Sequence, residues 1–241
     1  AKMDDDVRLL VLINPNNPCG SVCGPDDIDA LLAIARDFPN CIVVADEIYD
    51  GLDFTGEQVS VASRSTDVPV IALNGVSKVY YAPGWRIGYM ALHDPQRRLT
   101  LVRDGLERLL RSRLCASTPA QMGYLAGLEG ARGWMKVYAE RVQQQRDHCL
   151  RRIQGIDGLE VEHPGGAFYM FIRLTDERWA ADDKAFVLDL LHEEHVLLVH
   201  GSGFSPDLGK GHVRLVYLAD VSVLDEVFDR IDRFLKKHRQ G

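Results

Sequence analysis

Apolar residues along this chain fall first into short runs and then into stripes. Val7–Ile13 is a nearly unbroken apolar run, the pattern of a parallel strand buried on both faces. After a turn-rich stretch, Pro25 stands at a helix-start position with Asp26 and Asp27 in the first turn, where carboxylates favour the helix dipole. Ile28, Leu31, Leu32 and Ala35 then repeat with helical spacing. Cys41–Ala45 and Val70–Leu73 read as further buried strands, and Ile87–Leu92 as another. Asp94–Arg113 reads as a helix with Leu99, Val102, Leu106 and Leu109 on one face. Strands alternating with helices predict an α/β sheet, mostly parallel, covered on both sides.

From Thr118 to about Ile153 the pattern is helical, with Gly127, Gly130 and Gly133 expected to interrupt or bend it. Short strands follow near Leu159–Val161, Ala167–Arg173, Val196–Val199 and Val213–Leu218. Helices are expected at Asp183–His195 and Val221–Lys237, the last with Val221, Leu224, Phe228, Ile231 and Leu235 on one stripe. This mixture predicts a second, smaller α+β domain. The expected division is 1–145 and 146–241, the first part being an incomplete large domain because the sheet opens so abruptly.

Composition changes this picture little. The 241 residues are 46% hydrophobic and 26% charged, as in an ordinary globular protein. A net charge of -7 argues against nucleic acid or an anionic membrane as the partner. No run approaches the roughly 20 apolar residues of a membrane span. Five scattered cysteines give no disulfide framework and no paired metal-ligand spacing, and His192 and His195 flank two glutamates without forming a zinc motif. No metal is expected, and the cytoplasm is the expected compartment.

The polar residues cluster just after the strands, where open α/β sheets bind ligands. Asn14-Pro15-Asn16-Asn17-Pro18-Cys19-Gly20 follows the first strand, a proline-stiffened turn that holds Asn17. Asp46-Glu47-Ile48-Tyr49 follows the second. Asn74-Gly75-Val76-Ser77-Lys78 follows the third, with Arg86 eight residues beyond the lysine in Pro83-Gly84-Trp85-Arg86-Ile87-Gly88. Arg214 is a lone cation in the apolar strand His212-Val213-Arg214-Leu215. Singly, each of these is an ordinary cap, loop or surface residue.

Taken in order, together with Pro164-Gly165-Gly166-Ala167-Phe168-Tyr169 and Gly201-Ser202-Gly203-Phe204, the set resembles the class I/II aminotransferases of fold type I. That resemblance implies pyridoxal 5'-phosphate as cofactor, held covalently by Lys78. It implies Asp46 on the pyridine nitrogen, Asn17 and Tyr49 on the phenolic oxygen, Arg86 on the phosphate and Arg214 on the substrate carboxylate. Lys78, Asp46 and Tyr49 are then the catalytic residues. The chemistry suits these side chains. A lysine, of ordinary pKa about 10.4, can act as amine nucleophile and proton shuttle once bound and desolvated. A buried carboxylate keeps the ring cationic and able to draw electrons. Arginine forks match phosphate and carboxylate.

Two departures stand out. Gly75 occupies a position where many family members carry a phosphate-binding serine, which makes Ser77 the candidate to replace it. The large domain's first strands, phosphate-binding helix end and ring-stacking aromatic have no counterpart here, so the chain reads as N-terminally truncated and, alone, inactive. Arg111–Gln121 and the segment around Lys78 are most similar to prokaryotic alanine aminotransferases, which pair alanine with 2-oxoglutarate. Aspartate or aromatic specificity, a β-C–S lyase, and the sensor domain of a transcription regulator are the alternatives. Family active sites lie at a homodimer interface, where Ser117 and Thr118 are expected to reach the neighbouring subunit's phosphate.

Overall fold

The computed structural model describes residues 3–239. They form two compact units, one comprising the residues up to Asn16 and Val22–Lys136, the other Asn17–Ser21 and the residues from Val137 on. The residue 145/146 boundary read from the sequence lies inside a continuous helix, α5 (Gly133–Gln154); the division falls near that helix's N-terminus.

In the first unit, β1 (Leu9–Ile13), β2 (Ile42–Asp46), β3 (Val70–Gly75) and β4 (Gly88–His93) form one sheet in that order. The first three are parallel. β4 runs antiparallel to β3, a reversal that an apolar run cannot reveal because it reads alike in both directions. Helix α1 (Pro25–Arg36) starts where expected, with Pro25 in its first turn and the Asp27 carboxylate accepting from Gly24 N at 3.1 Å. Its Ile28, Leu32 and Ala35 pack with Val43, Ala45 and Val70 and with Val61 of α2 (Val61–Arg64). Burial of β1 on both faces is not what the structure shows. Leu12 packs into that cluster, but Leu9 and Val11 are 55% and 62% exposed on the edge strand's other face.

The helix expected from Asp94 begins only at Thr100. The Asp94 carboxylate instead closes a turn by accepting from Arg98 N at 2.7 Å and Leu99 N at 2.8 Å. The resulting α3 (Thr100–Arg113) buries none of its own residues. Next, α4 (Thr118–Glu129) passes through Gly127 unbroken and ends at Gly130. Gly133 then opens α5.

The second unit has a four-stranded antiparallel sheet, ordered β5 (Leu159–Val161), β6 (Tyr169–Leu174), β8 (His212–Val216), β7 (Val199–His200). Helices α6 (Glu177–Ala181), α7 (Asp183–Glu194) and α8 (Val221–Arg239) accompany it, with most of α5. The α8 stripe buries Leu224, Phe228, Ile231, Phe234 and Leu235, while Val221 is exposed. Each of these large apolar side chains contributes about 1.5–3 kcal/mol on burial. Phe234, Phe186 and Trp179 pack ring against ring at centroid distances of 5.4–5.5 Å, joining α8 to α7 and α6. No helix is long and apolar enough to cross a membrane among the described residues.

Candidate active site

Strand ends place most of the expected residues. Asp46 is the last residue of β2, in register with Ile13 of β1 and Leu73 of β3. One carboxylate oxygen accepts from Ile48 N at 3.1 Å, and the other meets no donor among the described residues. Tyr49 follows in the same turn and is only 3% exposed. Between them, Glu47 is buried as well. Its Oε1 accepts from Ser60 Oγ and from Val61 N, both at 2.9 Å, and so pins the start of α2 beneath the turn.

Burial raises the Glu47 carboxyl above its ordinary value, against the opposing effect of those two donors. The folded chain therefore holds this proton more tightly than the unfolded chain. That contribution favours folding below the ordinary carboxylate pKa and is lost as pH rises through the raised one. Glu47→Gln keeps an oxygen for both donors and should remove this pH dependence, so its urea midpoint should gain on the parent's as pH rises above the ordinary carboxylate range. Glu47→Ala strands the donors and should cost about 1–3 kcal/mol at any pH.

Ser77 and Lys78 lie in the connection after β3, both half-buried. Backbone bonds from Tyr81 N to Lys78 O at 3.3 Å and from Ala82 N to Val76 O at 3.2 Å fold this connection back on itself. It ends in a 3-10 turn, Pro83–Trp85, and then in Arg86, an exposed residue held in the left-handed region at φ 52°. A non-glycine residue there costs on the order of 1–3 kcal/mol, and such strain gathers at functional sites. Arg86 Nη1 donates to Pro83 O at 2.6 Å, and its other guanidinium nitrogens have no partner among the described residues.

Two features of this connection were not legible in the sequence. Gly75 and Gly88 face each other across β3 and β4. A Cβ at residue 75 would stand 2.8 Å from Ile87 O, so a serine there would have to displace backbone. Likewise, α4 uses Gly123 and Gly127 as seats for aromatic rings. A Cβ at these positions would lie 2.6 Å from the Trp85 ring and 2.9 Å from that of Tyr80. Tyr80 also stands edge-on to Tyr124 and Trp134 at 5.6 and 5.5 Å. Tyr80 and Trp85, which lie between Lys78 and Arg86 in sequence, are thus anchored on one helix.

Asn17 and Arg214 belong to the second unit. The Asn14–Gly20 turn leaves the first unit from Asn14, whose side chain donates to Cys23 O at 3.0 Å and accepts from Cys23 N at 2.9 Å. It belongs to the second from Asn17 on, and there Gly20 has φ +70° and a Cβ on it would lie 2.7 Å from Pro164 Cβ; Gly20 O accepts from Gly166 N at 2.8 Å. The peptide bonds before Pro15 and Pro18 are cis. Across 197 positions of sequence, Arg214 Nη1 donates to Asn17 Oδ1 at 2.7 Å. The guanidinium also lies 4.7 Å from the Tyr169 ring centroid and 4.8 Å from that of Phe204, while its Nε is buried with no hydrogen-bond partner among the described residues. A buried donor without an acceptor is rare in folded proteins and calls for an explanation, of which a bound acceptor is one.

The parallel strands thus end in a carboxylate and a lysine loop, and the second unit offers a guanidinium with a donor to spare. The chain belongs to the family of class I and II aminotransferases, whose description it matches over residues 1–231. It has the fold of the type I pyridoxal-phosphate transferases, and pyridoxal 5'-phosphate is the cofactor of this family. It is 36% identical, over its whole length, to 60% of the glutamate–pyruvate aminotransferase AlaA of Haemophilus influenzae. Against the alanine aminotransferase of Mycobacterium bovis the identity is 33%, again over the whole chain and over 56% of that protein. Among solved structures, an alanine aminotransferase from Pyrococcus furiosus superposes with a TM-score of 0.93 at 43% identity, covering 98% of this chain and 59% of that one. The chain therefore spans about 60% of the length of the curated relatives it matches.

Proposed function

We propose that this chain supplies the lysine, ring-nitrogen carboxylate and substrate clamp of a pyridoxal-phosphate-dependent aminotransferase. Its donor is taken to be alanine and its acceptor 2-oxoglutarate. The observation that carries the reading is the Asn17–Arg214 pair, with the guanidinium Nε buried and unpaired. A carboxylate is the acceptor that a guanidinium fork matches best, and every amino acid and 2-oxo acid brings one. The choice of alanine is supported by the relatives named above.

The residues fit the cofactor. Lys78 offers an amine on a connection fixed by backbone hydrogen bonds and ring seats. Asp46 has one carboxylate oxygen open to a ring N–H. Arg86 has guanidinium donors open to a phosphate. Tyr49 would complete the set with Asn17 at the phenolic oxygen, and Ser77 adds a hydroxyl beside Lys78. When bound, the cofactor supplies an electron-drawing ring that acidifies the substrate Cα–H. Lys78 would take that proton from Cα and release it to the cofactor rather than back to Cα, as amino transfer requires. Asp46 holds the ring nitrogen protonated, and Arg214 orients the substrate by its carboxylate. The same reading makes the working unit a cytoplasmic homodimer, whose mass sedimentation would give.

The test uses the full-length product of the gene. Alanine with 2-oxoglutarate should yield pyruvate and glutamate faster than aspartate or tyrosine donors react. Arg214→Ala should raise KM for both amino acid and 2-oxo acid by about 10²-fold, since a charge-assisted hydrogen bond contributes about 1.5–3 kcal/mol, and should leave cofactor content unchanged. If that variant loses cofactor and keeps its KM, the carboxylate role is wrong.

A further inference from the structure

Arg214 is held by more than its strand. Tyr169 comes from β6, whose pairing with β8 fixes it. Phe204 belongs to no strand. It follows the 3-10 turn Gly201–Gly203, is 39% exposed, and meets the sheet only edge-on, at Phe171 of β6 with ring centroids 6.1 Å apart, so its place over the guanidinium depends on the turn as well. The support comes from below the turn. Asp183, in the first turn of α7 and 2% exposed, spends both carboxylate oxygens on Ser202. Its Oδ2 accepts from Ser202 N at 2.9 Å, and its Oδ1 from Ser202 Oγ at 2.6 Å.

These bonds do nothing for the helix, which is capped by its neighbour: the Asp182 carboxylate accepts from Ala185 N at 2.9 Å. Nor does any cation pair with Asp183 among the described residues. A buried carboxylate without a cation is costly to keep; the helix N-terminus it stands on offsets part of that cost, and its two hydrogen bonds go to placing the turn. The turn has little other freedom: Phe204 N donates to Gly201 O at 2.9 Å, and a Cβ on Gly201 would sit 2.1 Å from Gly209 O. With Ser202 pinned, the ring two residues on is carried to one place.

We propose that Asp183 is a positioning residue: through Ser202 it fixes Phe204 against the Arg214 guanidinium and so sets the affinity of that guanidinium for the substrate carboxylate. This rests on the carboxylate-clamp reading of Arg214. A ring face beside a guanidinium attracts it and excludes water from one side, which strengthens the bond its free edge makes to an anion. Holding the ring in place before the ligand arrives removes an ordering cost from binding. Asp183 touches neither substrate nor cofactor in this account.

The experiment is a set of variants in the cofactor-loaded, full-length protein, read as kcat, KM, cofactor content and the inhibition constant of propionate, a carboxylate that cannot react. Asp183→Ala should raise KM for amino acid and 2-oxo acid, and the propionate constant with them, about tenfold. Its kcat and cofactor content should stay within about twofold of the parent. Asp183→Asn can accept from Ser202 N and donate to Ser202 Oγ, and should restore most of the affinity. Phe204→Leu leaves the buried carboxylate untouched and should give the same rise by itself, which keeps the test intact where Asp183→Ala folds poorly. The double variant should be no worse than either single one, because both remove the same contact. An unchanged KM in Phe204→Leu, or full additivity in the double variant, overturns the proposal. Arg214→Ala is measured alongside. If it too leaves the propionate constant unchanged, the clamp reading fails and takes the proposal with it; if it alone raises that constant, the clamp stands and only the tether is wrong.

Discussion

Lys78→Ala is expected to abolish amino transfer in the full-length protein, with kcat falling at least about 10³-fold. The reasoning starts from what the side chain supplies. It is the amine on the connection after β3, which backbone bonds across residues 76–82 and ring seats for Tyr80 and Trp85 on α4 hold in place. A positioned general base alone contributes about 10²–10⁴-fold, and this lysine is assigned the covalent anchoring of the cofactor as well. Borohydride reduction of the parent should fix the cofactor label on the peptide containing Lys78, and the alanine variant should take up no such label. A small exogenous amine such as methylamine should restore part of the turnover, because an amine is what is missing. A label that maps to Lys136 or Lys184, or a variant that retains normal turnover, would remove Lys78 from the centre of the site.

What the sequence reveals and what it hides divide along physical lines. The strands and helices were legible wherever burial imposes a period, as in α1 and α8, because water selects one face of each element. Chain direction was not: β4 reads as an apolar run whichever way it lies, and its antiparallel pairing depends on the Gly75–Gly88 approach, which needs three dimensions to see. Gly127 looked like a helix breaker by propensity. In the fold it costs the helix a little and gives Tyr80 a place to lie, a tertiary contact overriding a local preference. The candidate residues stand out because their motifs are tight and ordered along the chain. Their supports do not. Glu47 stands between Asp46 and Tyr49 with nothing in the sequence to show that it holds the start of α2. Asp183 and Ser202 stand 19 positions apart with no periodicity to link them, so nothing short of the folded chain joins them.

Asp46→Asn is the second large expected effect, and it separates a catalytic carboxylate from a turn residue. In the structure Asp46 has two possible jobs: one oxygen accepts from Ile48 N at 3.1 Å and shapes the turn that carries Tyr49, and the other is open. Asparagine retains an oxygen for Ile48, so the turn, the burial of Tyr49 and cofactor retention should survive. The full negative charge facing the ring nitrogen is lost. A unit charge pair about 3 Å apart is worth roughly 5 kcal/mol at an effective dielectric constant near 20. Losing even half of that from the charge-separated transition state lowers kcat by about 10²-fold, at 1.36 kcal/mol per factor of ten. Asp46→Ala should lower turnover at least as far and lose cofactor besides, since it removes the turn's acceptor with the charge. The discriminating measurement is kcat alongside cofactor content in both variants. If Asp46→Asn turns over normally while Asp46→Ala does not, the carboxylate shapes the turn and another group protonates the ring. If both bind cofactor poorly and kcat per bound cofactor is unchanged, Asp46 supports the fold of the turn and takes no part in the chemistry. A low kcat in Asp46→Asn at full cofactor occupancy is the result that assigns the charge itself to catalysis.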